Sequence, residues 1–369
     1  MIDSRDTPAR DIGARDTGAR RANVIGLGLI GGSIALGLRA QGWHVSGDDN
    51  DDRIVDAARA LGAIDDGGVD PDAEITFVAV PVLAIADQVK RALSETSGVV
   101  TDVGSVKSPV CRAIDDRRFV GGHPMAGSEL DGLDGAQADL FGGAVWVLTP
   151  VSDTEDATFA LVTNVVASLG AEVVAIDPDR HDHLVAVVSH VPHLTAATLM
   201  GLASERAEEH AALLRLAAGG FRDMTRVASG RPGIWLDICA ENRTAIIGAL
   251  DELIQGLSDV RRVIDTDDRD ALLDRLQQAR HARTNLPSRV VHPEELAEVR
   301  IPIPDRTGAA AEVFTLAAEL GVNIASFEVV HLVESNRGVA VVLVDQAMVD
   351  VFRGGLIARG FRPSIQALS

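Results

Sequence analysis

One histidine, His123, stands in the run "GGHPMAGSE" directly after the apolar pair Phe119-Val120. The chain has only ten histidines in 369 residues. This one falls where a strand of an open parallel sheet would end, at the rim where such sheets bind ligands. An imidazole there can take the proton of a carbinol while its carbon passes hydride to a nicotinamide. It can equally cap the turn that follows. Ser105, closing "TDVGS", also has two readings: a hydrogen bond that fixes the imidazole tautomer, or the cap of a helix starting at Val106.

A cofactor for such chemistry has a place upstream. "VIGLGLIGG" sets Gly26, Gly28 and Gly31 as G-x-G-x-x-G between an apolar run and a helical one. The first glycine makes the tight turn, the second lets backbone approach a pyrophosphate, and the third lets the helix pack on the strand. Leu29 and Ile30 lie inside this loop, and Val80-Pro81 ends a strand on the same rim. Asp49 lies about twenty residues beyond the loop, where a carboxylate accepts the ribose hydroxyls and repels a 2′-phosphate. NAD is therefore expected rather than NADP, with Asp48 or Asp49 on the ribose; a solvated acidic turn is the alternative.

Further along, "RHDHLVAVVSHVPHLTAA" holds His181, His183, His190 and His193. No carboxylate or cysteine completes a tetrahedral set, so structural polar roles are expected for most of them, and no metal. "AAGGFRDMTR" places Arg222 and Arg226 four apart, on one helical face, where two guanidiniums can clamp a carboxylate or pair with neighbouring acids.

Composition narrows the partners. With 54 acidic against 34 basic residues the net charge is −20, which disfavours nucleic acid and anionic membranes. Two cysteines, Cys111 and Cys239, make no disulfide framework, and a reducing, cytoplasmic compartment fits. The apolar stretch after Arg20-Arg21 carries five glycines, a serine and an asparagine, a poor export signal.

The elements that must position these residues fall into blocks. Residues 1–20 repeat as charged pentads with little to bury and read as a disordered tail. Residues 21–176 alternate short β-type runs with helical stretches, the pattern of a Rossmann-type, doubly wound parallel sheet. Residues 177–284 read as all-helical, with helices over 184–205, around 211–216, over 234–264 and over 269–282. The stripe Ile246, Leu250, Leu253, Leu257, Val260 suits a packing core or a dimer seam. Residues 285–296 are a polar, proline-punctuated linker. Residues 297–369 follow the order βαββαβ, a ferredoxin-like module.

Taken together and in this order, "VIGLGLIGGS", "TDVGSVK", "GGHPMAGSE", "VVSHVPH", "GGFRDMTR" and "IWLDICAEN" closely resemble the prephenate/arogenate dehydrogenases of tyrosine biosynthesis, over roughly residues 22–282. "IPIPDRTGAAAEVFTLAAELGVNIASFEV" resembles an ACT domain. The resemblance implies that His123 accepts a hydrogen bond from the substrate's ring hydroxyl with Ser105 as its partner. It also implies that Arg226 grips the ring carboxylate, that His193 lies near the side chain, and that Ser128 and Arg222 add substrate contacts. Arg222 replaces a lysine common in relatives. The implied reaction is an NAD-dependent oxidative decarboxylation driven by aromatisation, in a homodimer. Small neighbours would let substrate and nicotinamide approach His123. Asp131 departs from relatives and would favour the ammonium of arogenate over the keto group of prephenate. Asp305, Gly308, Asn323 and Ile324 match positions where related modules bind an amino acid, so feedback by tyrosine is expected, a purely dimerising module being the alternative. The competing functions are another ACT-bearing amino-acid dehydrogenase and a non-catalytic NAD and amino-acid sensor.

Overall fold

The computed structural model describes residues 19–127, 130, 132–209, 213–284, 296–304, 306, 308–331 and 337–367. The charged pentads through residue 18 and nearly all of the expected linker lie outside these. Residues up to Leu272 form one compact unit and Leu273–Ser369 a second.

In the first unit the alternating pattern becomes β1 (Arg21–Ile25), α1 (Leu29–Ala40), β2 (His44–Asp48), α2 (Asp52–Leu61), β3 (Asp66–Gly67) and β4 (Ile75–Val78). It continues through α3 (Ile85–Glu95), β5 (Val99–Asp102), α4 (Ser108–Ala113), β6 (Phe119–Pro124), β7 (Val145–Thr149), α5 (Asp156–Ser168) and β8 (Glu172–Ala175). The eight strands form one sheet in the order β3-β2-β1-β4-β5-β6-β7-β8. Successive side chains of a strand point to opposite faces. Val24 and Phe77 accordingly enter the core with Ile34, Leu38 and Trp146, while Ile25 and Val78 enter the core with Ile85, Val89 and Phe119. Both faces are thus covered, which is why these strands read as unbroken apolar runs.

The sheet is not parallel throughout. β7 runs antiparallel to β6, with His123 opposite Val147, and β8 is parallel to β7. Among the described residues of the β6–β7 connection, the one helical element is the short 3₁₀ turn Leu133–Gly135. Without a crossover helix the chain returns in the opposite direction.

The helical region also departs from its periodicity. The expected helix 184–205 is α6 (Pro178–Val185), a π-helical turn (Ala186–His190) and α7 (Val191–Glu209). Around 211–216 the described residues form only a 3₁₀ turn, Leu213–Leu216, followed by α8 (Gly219–Thr225) and a 3₁₀ turn, Arg226–Ser229. The expected helix 234–264 breaks at Asn242 into α9 (Pro232–Glu241) and α10 (Arg243–Asp265), after which α11 runs Arg269–Thr284. Val82 and Val106, from loops of the sheet, share a small core with Ala186, Ile238 and Ile246, which seats the helices on the rim. Along α10 the stripe is buried at Ile246 but open at Leu257, 58% exposed, as a seam awaiting a second chain would be.

The second unit contains β9 (Leu296–Pro304), α12 (Ala309–Glu319), β10 (Ile324–His331), β11 (Arg337–Asp345), α13 (Val349–Ala358) and β12 (Ser364–Ala367). Its four strands pair antiparallel in the order β10-β11-β9-β12, the ferredoxin-like arrangement. Ala297, Val299, Ile301 and Ile303 alternate inward along β9 onto Val313, Phe352 and Leu356.

Candidate active site

The glycine loop has the shape of a dinucleotide cradle. Gly26 holds φ +92°, and a Cβ there would meet the Ala79 carbonyl oxygen at 2.4 Å. A Cβ on Gly31 would lie 1.9 Å from the Gly26 carbonyl oxygen, so α1 can pack this close only without one. Gly28 differs: nothing lies within 4 Å of its Cβ position, and no side chain caps the helix it opens. Free N–H groups and the positive helix end face this open space, as a pyrophosphate requires. Val80 closes one side, its Cγ1 3.1 Å from the Gly26 Cβ position. Of the two candidate ribose acids, Asp48 accepts from Arg91 Nη1 at 2.7 Å. Asp49 is held at the loop, accepting from the Leu27 N–H at 2.8 Å and the Asp51 N–H at 3.1 Å.

Beside the cradle lies a cluster that residue spacing had not revealed. β5 ends in Asp102, whose carboxylate accepts from the Gly104 N–H at 2.8 Å, from the Gly122 N–H at 3.2 Å and from the Lys107 ammonium. Both side chains of this ion pair are 0% exposed. It ties the loop after β5 to the β6 backbone one residue before His123. The signal in the sequence is an acid and a lysine five apart in "DVGSVK", at the end of an otherwise apolar strand.

His123 is half-buried at the end of β6. Its Nδ1 lies 2.9 Å from Nε2 of His181, not against Ser105; among the described residues no hydrogen bond joins Ser105 to it. Ser105 does not cap a helix at Val106 either, since α4 starts at Ser108. Asp182 caps it from α6, accepting the Lys107 and Ser108 N–H groups at 2.8 Å each. The same carboxylate lies 2.8 Å from His181 Nδ1. Asn242, at the break between α9 and α10, donates to the Asp182 carbonyl at 2.8 Å and lies 3.2 Å from His190 Nδ1. His181 and Asn242 therefore belong to this site, and their contacts span 58 and 60 residues of sequence.

The electrostatics follow from burial. Desolvation, reinforced by His181, Lys107 and His190, holds His123 well below the usual histidine range, so it is neutral at physiological pH. Burial also brings His190 down to about 4. For Asp182, burial works against the charge, but hydrogen bonds from His181 and from the Lys107 and Ser108 backbone outweigh it and keep the carboxylate ionised.

The small residues before His123 serve packing rather than access. A Cβ on Gly121 would meet Thr149 Oγ1 at 2.5 Å, and one on Gly122 would meet the Asp102 carbonyl oxygen at 2.6 Å. Of the three glycines in this run, Gly127 is the one whose Cβ position has nothing within 4 Å. His193 is half-buried and stacks on Trp235, ring centroids 3.6 Å apart, beside the segment that Arg226 opens. Arg222 lies within α8, and Arg226 follows the last residue of that helix in helical conformation and opens the 3₁₀ turn. Arg222 Nε donates to the Ala217 carbonyl at 3.2 Å. In the second unit Gly308, φ +89°, precedes α12, Asn323 directly precedes β10, and Ile324 opens it. Ser128, Asp131 and Asp305 lie outside the described residues.

Residues 34–175 match the family model described as "Prephenate dehydrogenase, nucleotide-binding domain", and residues 177–278 match "Prephenate dehydrogenase, dimerization domain". The chain is 33% identical over 331 residues to the prephenate dehydrogenase of Bacillus subtilis, covering 85% of this chain and 89% of that one. Among solved structures, it resembles prephenate dehydrogenase from A. aeolicus in complex with hydroxyphenyl propionate and NAD+. The TM-score is 0.69 and the identity 28%, over 74% of this chain and 100% of that one. It also resembles Synechocystis arogenate dehydrogenase, with a TM-score of 0.64 and 31% identity, over 71% and 98% of the two chains.

Proposed function

The chain belongs to the prephenate dehydrogenase family, and from that premise we propose that it oxidatively decarboxylates prephenate, arogenate or both with NAD as oxidant. The observation that carries this reading is an imidazole, His123, at the end of β6 in the sheet whose β1 opens into the glycine cradle, bonded through Nδ1 to His181 and kept neutral by burial. Gly26, Gly28, Leu29, Ile30, Gly31, Val80 and Pro81 would form the cofactor site, with Asp49 on the ribose hydroxyls, and the bound nicotinamide supplies the hydride acceptor.

His123 then holds the ring hydroxyl. As the C–H bond on the hydroxyl carbon gives up its electron pair as hydride, the hydroxyl becomes acidic and its proton moves onto the imidazole. The bond from the opposite ring carbon to its carboxylate breaks, carbon dioxide leaves, and that electron pair completes the aromatic ring. The phenolate oxygen takes the proton back from His123, so none is released overall. Ser105 would steady the hydroxyl end, Arg226 and Arg222 would meet carboxylates, and His193 with Ser128 would line the side-chain end. Asp131 would set preference for the ammonium of arogenate. The ferredoxin-like unit would act as an ACT module binding tyrosine at Asp305, Gly308, Asn323 and Ile324. The exposed apolar stripe of α10 supports a homodimer.

The test follows reduced-nicotinamide absorbance with NAD or NADP, offering prephenate and arogenate separately, for the native chain and His123→Asn. Turnover with NAD that collapses by about 10²–10⁴ in the variant is expected. NAD binding without turnover of either substrate would leave the sensor reading.

A further inference from the structure

We infer that His181 and Asp182 are positioning residues that fix the proton of His123 on Nδ1 and so leave its Nε2 lone pair for the substrate hydroxyl. The inference rests on the reaction proposed above, in which His123 must accept a proton and not donate one.

The polarity of the chain is set from its far end. Asp182 already accepts two backbone N–H groups, one on each carboxylate oxygen, and an ionised carboxylate can only accept. The nitrogen 2.8 Å from it, His181 Nδ1, must therefore carry the hydrogen. With one proton on that ring, His181 Nε2 is an acceptor. The 2.9 Å contact then requires His123 Nδ1 to donate. One proton per ring satisfies every nitrogen in the chain except His123 Nε2, which has no partner among the described residues.

The opposite polarity would need a second proton on His181. That proton would have to be carried on a side chain 1% exposed. It would also push the His123 proton to Nε2, presenting a donor where the reaction needs an acceptor. When His123 takes the substrate proton, the existing bonds stay in place, and the Asp182 charge acts through His181 on the imidazolium. The anchor is rigid because Asp182 also caps α4, and Asn242 holds its carbonyl from the start of α10.

The experiment reads the tautomer directly. Nitrogen-15 spectra of protein labelled in its histidine rings, without cofactor or substrate, are compared between the native chain, His123→Asn to assign the signal, His181→Leu and His181→Gln. His123 is expected as the Nδ1–H form in the native chain, and in the Gln variant, whose amide oxygen can still accept. In His181→Leu the proton should redistribute toward Nε2. In steady state His181→Leu should lower kcat at least about tenfold while KM and the NAD Kd stay within about threefold, with His181→Gln recovering most of kcat. A native His123 in the Nε2–H form, or a Gln variant no better than Leu with the tautomer unmoved, would overturn the inference. The native spectrum needs no variant to fold and no turnover. It is therefore independent of the reaction: an inactive chain would sink the proposed function while the tautomer is still read.

Discussion

Replacing Lys107 with methionine removes the ammonium from a pair in which both side chains are 0% exposed while keeping most of the volume. Asp102 would keep its bonds from the Gly104 and Gly122 N–H groups but lose its counter-charge. Breaking a buried pair by deleting one partner costs about 3–5 kcal/mol, because the remaining charge stays desolvated. At about 2–4 °C per kcal/mol for a unit of this size, the melting temperature of the first unit should fall by about 6–20 °C. Thermal melts and urea titrations by circular dichroism read this, with the double variant Asp102→Leu/Lys107→Met alongside. Removing both charges leaves the Gly104 and Gly122 N–H groups without an acceptor, at about 1–3 kcal/mol each, but no buried charge. The double variant should therefore be more stable than the sum of the two single losses predicts. A single Lys107→Met loss below about 1 kcal/mol, or strict additivity, would refute the claim that the pair holds the rim together.

Three other outcomes are expected. Gly28→Ala should leave the melting temperature within about 2 °C yet weaken NAD binding, because nothing surrounds that Cβ position but the cofactor cradle, whereas Gly31→Ala should destabilise the unit through its 1.9 Å clash; calorimetry and titration separate the two. His123 and His190 both have folded pKa values below the unfolded 6.5, so the unfolded chain binds more protons below that pH. Their stabilisation is complete above pH 6.5 and is lost as the pH falls toward about 4, which urea midpoints across that range will follow, and His190→Gln should flatten the trend. The acidic limb of kcat/KM should correspondingly lie well below pH 6.5. Tyrosine should inhibit the full chain and not one ended at Thr284, and equal inhibition of both would remove the regulatory role of the second unit.

Residue order alone carries what short-range pattern encodes. The glycine loop, the alternation of apolar runs with helical stretches and the βαββαβ order each lie within a few dozen residues, and their periodicities follow from backbone geometry. His123 was legible because its place at a strand end follows from that order. Long-range packing supplied the rest. The antiparallel return of β7 was hidden because an apolar run carries no direction. The break at Asn242 lies between two stretches of unbroken helical periodicity, with no glycine or proline to mark it. Ser105 was expected as the partner of His123 because it closes a motif on the same rim and the family resemblance implies it, yet His123 Nδ1 meets His181. The bonds among His123, His181, Asp182 and Lys107 join residues as far as 75 apart, and only the packing of α6 and α10 on the rim brings them together. Burial then set the charge on the imidazole of His123: in a solvated turn it would titrate near 6.5, and the folded core, not its spacing, holds it well below that range.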